Sequence, residues 1–272
     1  MAFDYEQYLR VDRLPHIWCP GCGHGIIFKA LLRSIHGLEI DKNDVMLVSG
    51  IGCASRLPGY ADFNTLHTTH GRALPFATGI KVMKPNLHVI VTSGDGDAVA
   101  IGGNHFIHTC RRNIDMTLIV FNNSIYGMTG GQVSPTTPYG SFASTAPWGN
   151  LSVHFDFMKL AQGAGATFVA RATTYHVKLL EKVITKAIDH KGFSVVEVLE
   201  DCPTAYGRRN KMRGPVQMMK FWKDNCVMID ALEKLPLEAA KEKIPIGIFS
   251  QTTRQEFTDE QHQVAQRAMG EE

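Results

Sequence analysis

The sequence predicts an open, mostly parallel α/β sheet with a C-terminal extension, and three observations carry that reading. Two apolar, β-branched runs of strand length, Leu87–Thr92 and Met116–Phe121, flank a segment long enough for one helix. That is strand, crossover helix, strand, the unit of a parallel sheet. Similar runs alternate with helical patterns from Val45 to Leu199, giving five strands. Small, polar and acidic residues follow the strands directly, as in Ser93-Gly94-Asp95-Gly96-Asp97 and Asn122-Asn123-Ser124. In such a sheet the carboxyl ends of the strands share one edge, where ligands bind.

Taken in order, Cys19-Pro-Gly-Cys22-Gly-His-Gly comes first, and its glycines allow two thiols to fold toward one point. The amphipathic stretch Ile26–Ile35 reads as helix and Val45–Ser49 as strand, running into the loop Gly50-Ile51-Gly52-Cys53-Ala54-Ser55-Arg56. Gly71–Met83 reads as helix, stopped by Lys84-Pro85. The central unit follows. Beyond Met128 a stretch rich in Gly, Pro, Ser and Thr runs to about Asn150, and a loop that long is usually functional or covered by a partner. Phe155–Gln162 and Thr174–His190 read as helices, Ala166–Arg171 and Phe193–Leu199 as strands. The last strand runs into Glu200-Asp201-Cys202-Pro203. From Tyr206 the periodicity weakens. The division expected is residues 1–205 as the α/β domain and 206–272 as an extension lying on it or on a partner.

Composition bounds the function. The 272 residues are 44% apolar and 20% charged, with a formal net charge of +2, so nothing calls for nucleic acid as a partner. No apolar run approaches the ~20 residues of a membrane span. The N-terminal stretch carries early acids and no apolar core, so a secretory signal is not expected and a cytoplasmic location is. In that compartment the six cysteines are metal ligands, catalytic groups or core residues rather than disulfides.

Asp95 and Asn123, with 27 residues between them, should meet at the ends of adjacent strands. A carboxylate and an amide oxygen suit Mg2+, which takes few protein ligands and completes its shell with phosphate oxygens. Gly94 and Gly96 are expected to let the chain turn sharply and approach a diphosphate closely. The strand-end position suggests an exposed Asp95. Taken singly, Gly-Asp-Gly also reads as a turn and Asn-Asn as a helix cap.

Cys19, Cys22, Cys53 and Cys202 all fall in loops, two of them directly after strands. Four convergent thiolates suit a structural zinc or an iron–sulfur cluster. One close pair with two distant single ligands favours the cluster over a zinc ribbon. A lone Cys-x-x-Cys with Cys53 and Cys202 as packing residues is the plain alternative. Cys110 and Cys226 are assigned to packing.

The Gly-Asp-Gly and Asn-Asn pairing resembles the thiamine diphosphate motif. That resemblance implies Mg2+ held by Asp95, Asn123 and the carbonyl of Ile125, with Gly96, Asp97, Gly127 and Met128 against the diphosphate. Together with the cysteine pattern, the chain resembles the β subunit of the 2-oxoacid:ferredoxin oxidoreductases, from Trp18-Cys19-Pro20-Gly21-Cys22-Gly23 to Cys202-Pro203. The resemblance implies a thiamine diphosphate-binding fold and a [4Fe-4S] cluster on Cys19, Cys22, Cys53 and Cys202. It implies a cofactor loop of Ile51, Gly52, Cys53 and Ala54, and His70, of His70-Gly71-Arg72, close to the cofactor. It also places Arg56 on the substrate carboxylate; some members carry Lys there, and Arg is a more rigid, bidentate partner.

The implied reaction is oxidative decarboxylation of a 2-oxoacid to acyl-CoA and CO2, with coenzyme A as co-substrate and ferredoxin as electron acceptor, reversible as reductive carboxylation. The implied assembly is a dimer of αβ heterodimers, in which the α subunit supplies the glutamate that activates the cofactor's pyrimidine. Ser134-Pro135-Thr136-Thr137-Pro138, and Ala164-Gly165-Ala166 with Val169-Ala170-Arg171, lean toward 2-oxoglutarate members. Pyruvate or broad 2-oxoacid use, and a non-redox thiamine decarboxylase or synthase, are the competing enzymes. A non-catalytic metal scaffold competes from another class. A dinucleotide-binding protein fits poorly, because Val99 stands where the third glycine of that fingerprint belongs.

Overall fold

Strand-length apolar runs separated by amphipathic helices can bury both faces of a sheet only by placing helices on each side. The computed structural model, which describes residues 3–270 apart from 213 and 233, has that layering. In chain order its helices and strands are α1 (His24–Gly37), β1 (Val45–Ser49), β2 (Asn64–His67), α2 (Ala73–Met83), β3 (His88–Gly94), α3 (Gly103–Arg112) and β4 (Met116–Asn122). There follow β5 (Ile125–Tyr126), β6 (Gln132–Val133), α4 (Phe157–Gly163), β7 (Phe168–Thr173), α5 (Val177–Asp189) and β8 (Phe193–Leu199). The C-terminal part adds α6 (Pro215–Asn225), β9 (Cys226–Met228), α7 (Ile229–Leu232), α8 (Leu237–Lys241), β10 (Ile244–Gln251) and α9 (Phe257–Met269).

The main sheet has the order β2-β1-β3-β4-β8-β7-β10-β9. From β2 to β7 every pairing is parallel, and β10 joins β7 antiparallel. One core, including Ile27, Leu31, Leu180 and Ile184, packs α1 and α5 on one face. The other, including Ala77, Phe106 and Phe157, packs α2, α3 and α4 on the opposite face. α5 shows why its sequence is helical: Leu180, Val183, Ile184, Ala187 and Ile188 are buried at the spacing of one helical face. β4 and β8 are buried along their whole length, as central strands covered on both faces must be.

The chain leaves β1 for β2 on one side and comes back to β3 on the other. The loops after β1, β3, β4 and β8 therefore open side by side on the carboxyl edge, at a reversal of strand order.

Three elements differ from expectation. The four-residue edge strand β2, half exposed and without apolar alternation, lies outside the five expected strands. The crossover between β3 and β4 is not one helix: a π-turn at Asp97–Ile101 precedes α3. Such turns concentrate at functional sites. The segment beyond residue 206 also extends the main sheet through β10. Pro245 and Gly247 inside IPIGIFSQ mask that strand in the sequence. The structure accommodates them because Pro245 lies against the short β9, and pairing with β7 begins only at Gly247. The long stretch after Met128 pairs its β6 back onto β5 and then exposes Trp148, Leu151 and Val153, each more than four-fifths accessible.

Candidate active site

The carboxyl edge carries a cleft of about 170 Å3. Ile51, Gly52, Cys53, Ala54, His70, Gly96, Asp97, Gly127 and Met128 all line it, with Asp95, Asn123 and Ile125. Residues drawn from four separate loops thus meet because their strands are neighbours. Arg56 is not among the lining residues. It is exposed on the turn after Cys53, and its charge favours the ionised form of that thiol.

Asp95 is buried, contrary to the exposed position that its place at a strand end suggests. The segment after β6 folds back over it. Ser134 Oγ and Thr136 Oγ1 donate to its Oδ2 at 2.6 and 2.5 Å. Burial pushes the carboxyl up to about 6, against the pull of those two donors. A buried carboxylate in that condition favours a cation beside it.

Asn122 and Asn123 do different work. Asn122 Nδ2 donates to Glu197 at 2.6 Å, and its Oδ1 accepts from the backbone N–H of Ser124 at 3.0 Å. It is a structural brace for the turn, in which Ser124 takes a left-handed φ of 61°. Asn123 Nδ2 donates to Glu200 Oε1 at 3.0 Å, while its Oδ1 is buried without a hydrogen-bond partner. Buried carbonyl oxygens are rarely left so. An orphaned amide oxygen beside a buried carboxylate, in a glycine-lined cleft, fits an oxygen-preferring cation such as Mg2+.

The glycines act differently from the expectation. Neither Gly94 nor Gly96 takes a positive φ. Gly96 is needed for space, since a Cβ there would run into the Tyr126 ring, whose hydroxyl donates to the Gly96 carbonyl at 3.2 Å. Asp97 lines the cleft, but its carboxylate is turned on the protein. It accepts from the N–H groups of Gly71 and Ile51 at 2.7 and 3.2 Å and from Ser93 Oγ at 2.6 Å. It also lies 2.6 Å from His70 Nδ1. That contact fixes the ring and leaves Nε2 as its free nitrogen.

The thiols converge beside the cleft. A Cβ on Gly127 would stand 3.5 Å from Cys202 Sγ and 4.0 Å from Cys53 Sγ. The Thr204 hydroxyl lies 3.7 Å from Cys19 Sγ and 4.0 Å from Cys202 Sγ. Burial, then the Glu200 carboxylate and the neighbouring thiols, drive Cys22 far above the usual thiol range. Burial and then Cys202 push Cys53 up to about 11. Thiols gathered so closely ionise only when a metal takes up the charge. The four-sulfur donor set fits an iron–sulfur cluster. Cys110 is fully buried on α3 and Cys226 lies on β9 at the far edge of the sheet, so neither joins the group.

Sequence reasoning missed His24 and Glu200. Both are buried at about 1% exposure, and they bridge Cys22 to Asn123. Position gave one signal: Glu200 follows a strand and precedes Cys202 by two residues. Ser134, Thr136 and Thr137 stand out in the sequence only as part of the family resemblance. They brace the site, with Thr137 Oγ1 donating to the Ser124 carbonyl at 2.6 Å. A larger cavity of about 290 Å3 opens on the other side of Asn123 and Glu200, toward Arg171, Trp222 and Lys243, away from the thiols.

Comparison with known proteins agrees with this geometry. Residues 50–198 match the family described as thiamine pyrophosphate enzyme, C-terminal TPP binding domain. The chain is 52% identical to the 2-oxoglutarate synthase subunit KorB of Methanocaldococcus jannaschii over 97% of its own length and 98% of that protein's. It is 41% identical to the 2-oxoacid:ferredoxin oxidoreductase subunit beta of Saccharolobus solfataricus, over 86% and 81% of the two chains. A solved structure of the 2-oxoglutarate:ferredoxin oxidoreductase from Magnetococcus marinus, with 2-oxoglutarate, coenzyme A and succinyl-CoA bound, superposes with a TM-score of 0.86. That match has 33% identity and covers 98% of this chain and 91% of the other. The chain therefore belongs to the thiamine pyrophosphate enzymes and, within them, to the KorB-type beta subunits of the 2-oxoacid:ferredoxin oxidoreductases.

Proposed function

We propose that this chain is the β subunit of a 2-oxoglutarate:ferredoxin oxidoreductase, converting 2-oxoglutarate and coenzyme A to succinyl-CoA and CO2 with electrons delivered to ferredoxin. The observation that carries the reading is a single loop. Ile51 to Ala54 lines the cleft with Asp95 and Asn123, while its Cys53 thiol joins the Cys19, Cys22 and Cys202 group. One loop would thus serve both redox centres.

When bound, thiamine diphosphate supplies the electron sink for decarboxylation, and a [4Fe-4S] cluster supplies the one-electron relay. This chain's residues hold and orient. Asp95, the Asn123 amide oxygen and the Ile125 carbonyl would take Mg2+, and the backbone at Gly96, Asp97, Gly127 and Met128 would face the diphosphate. His70, fixed by Asp97, holds a ring nitrogen at the cleft wall. Arg56 would meet the substrate carboxylate from the exposed turn beside Cys53. The substrate pocket is completed by an α subunit, for which the exposed Trp148, Leu151 and Val153 provide an apolar face. The assembly is a dimer of αβ heterodimers. Residues 1–205 form the cofactor-binding unit, and 206–272 are an extension that packs on this unit, where β10 joins its sheet, or on the partner.

No helix among the described residues is long and apolar enough to cross a membrane. A cytoplasmic location belongs to this reading, because thiols that serve as cluster ligands need a reducing compartment. The test is anaerobic co-expression with the α subunit, followed by a coenzyme A-dependent assay of ferredoxin reduction. Turnover with 2-oxoglutarate well above that with pyruvate is expected. Decarboxylation without ferredoxin reduction would move the protein to the non-redox thiamine enzymes.

A further inference from the structure

Glu200 is the first residue beyond β8, and its backbone N–H donates to the Asn122 carbonyl at 3.0 Å. Its side chain is wholly buried. Oε1 accepts from Asn123 Nδ2 at 3.0 Å. Oε2 lies 3.0 Å from His24 Nδ1 yet has no hydrogen-bond partner. The same His24 Nδ1 is 2.9 Å from Cys22 Sγ. His24 is buried as well, between the rings of Trp18 and Phe121. Gly23 completes the fit, since a Cβ there would overlap the Glu200 side chain. The Cys-x-x-Cys loop is thus closed directly onto this carboxylate. Two buried ionisable side chains span from a cluster thiol to the orphaned metal-side amide. Neither has a role in the reading above.

We infer that Glu200, lying against His24, bridges the two cofactor sites: it fixes the Asn123 amide with its oxygen toward the metal, and it couples occupancy of the diphosphate site to the reduction potential of the cluster. This rests on the functional reading above. The positioning part follows from hydrogen bonding alone. An amide whose nitrogen is committed to a carboxylate cannot turn that nitrogen toward a cation. The coupling part follows from an unscreened charge. A buried carboxylate acts on its neighbours through a low effective dielectric, and Glu200 stands 3.0 Å from Asn123 Nδ2 on one side and 3.0 Å from His24 Nδ1 on the other, which is itself 2.9 Å from Cys22 Sγ. A cation drawing on Asn123 Oδ1 polarises the amide, strengthens its bond to Glu200 and weakens the negative field at the thiolates. The reduced cluster, one electron more negative, is then easier to form. By reciprocity the reduced cluster binds the magnesium cofactor more tightly.

The experiment uses the αβ complex, with thiamine diphosphate and Mg2+ added or withheld. The cluster midpoint potential is read by dye-mediated titration with electron paramagnetic resonance, and cofactor affinity by calorimetry. In the unmodified complex the potential should rise when Mg2+ and thiamine diphosphate are added. Glu200→Gln keeps an oxygen for Asn123 but removes the charge, so it should hold cofactor affinity while losing the potential shift. Glu200→Ala should lose the shift and weaken cofactor binding about tenfold or more, the cost of freeing an amide held by a charged partner. A Glu200→Gln complex that retains the shift, or an unmodified complex with equal potentials in both states, overturns the bridge and leaves the functional reading intact. An unmodified complex that lacks the cluster or binds no thiamine diphosphate overturns both.

Discussion

Asp95→Asn separates the metal role of this residue from its structural one. Its carboxyl is buried and pushed up from 3.8 to about 6. A raised carboxyl binds its proton more tightly in the folded chain. The ionised group therefore costs nothing below about pH 3.8, costs progressively more up to about 6, and carries its full cost above. A shift of that size corresponds to about 3 kcal/mol at neutral pH as an upper bound. Asn has the same shape and its oxygen can still accept from Ser134 and Thr136. The metal-free variant should therefore melt higher than the parent at pH 7, by about 2–4 °C per kcal/mol relieved, and the gap should close toward pH 4. Mg2+ with thiamine diphosphate should raise the melting temperature of the parent and leave the variant unmoved. Calorimetric melts at pH 4, 5.5 and 7, with and without the cofactor, give all the comparisons. A variant that melts lower at pH 7 without metal, or that gains as much as the parent from the cofactor, refutes the reasoning.

Three further outcomes follow from the same geometry. Because a proton competes with the cation for Asp95, the apparent affinity for Mg2+ and thiamine diphosphate should fall about tenfold per pH unit below about 6; a flat titration between pH 7 and 5 removes Asp95 from the metal. Gly96→Ala forces a methyl into the Tyr126 ring. It should weaken cofactor binding strongly while iron content stays at the parent value, and Gly96→Ala with unchanged affinity would show that the ring moves aside. Arg56 is exposed in this chain, so its effect depends on burial by the α subunit and substrate: in the αβ complex Arg56→Ala should lower kcat/KM for 2-oxoglutarate by the equivalent of about 2–5 kcal/mol, the usual effect of removing one partner of a desolvated charge pair, with cluster spectra unaltered. Unchanged kcat/KM would leave Arg56 as a surface residue.

What the sequence disclosed was what periodicity and strand-end chemistry encode. Five of the six parallel strands and their helices were legible because central strands such as β4 and β8 are unbroken apolar runs, whereas the short, half-exposed edge strand β2 was not. The cleft was legible because its residues occupy strand-end loops whose neighbours follow from parallel topology. Edge structure was not: β10 carries Pro245 and Gly247, and its β7 register slips at Ile248. The buttresses were not legible either. Ser134 and Thr136 reach Asp95 from about 40 residues away in sequence, through a loop without periodicity. Glu200 reads as an ordinary charged loop residue until burial and its two neighbours are known. The direction of Asp97, inward to His70 and Gly71 rather than outward, depends on a π-turn that no pattern announces.

The central claim is that one loop serves both redox centres, and Cys53 is where the two meet. Serine at that position offers a hard oxygen to an iron that prefers thiolate. The decisive measurement is iron and acid-labile sulfide content, with anaerobic spectra and 2-oxoglutarate-dependent viologen reduction, on Cys53→Ser co-expressed with the α subunit. Cys226→Ser, at the far edge of the sheet, serves as the control. The account predicts that Cys53→Ser loses or degrades the cluster and its dye reduction, while Cys226→Ser keeps both. A Cys53→Ser complex with an intact [4Fe-4S] cluster and full dye reduction would contradict it.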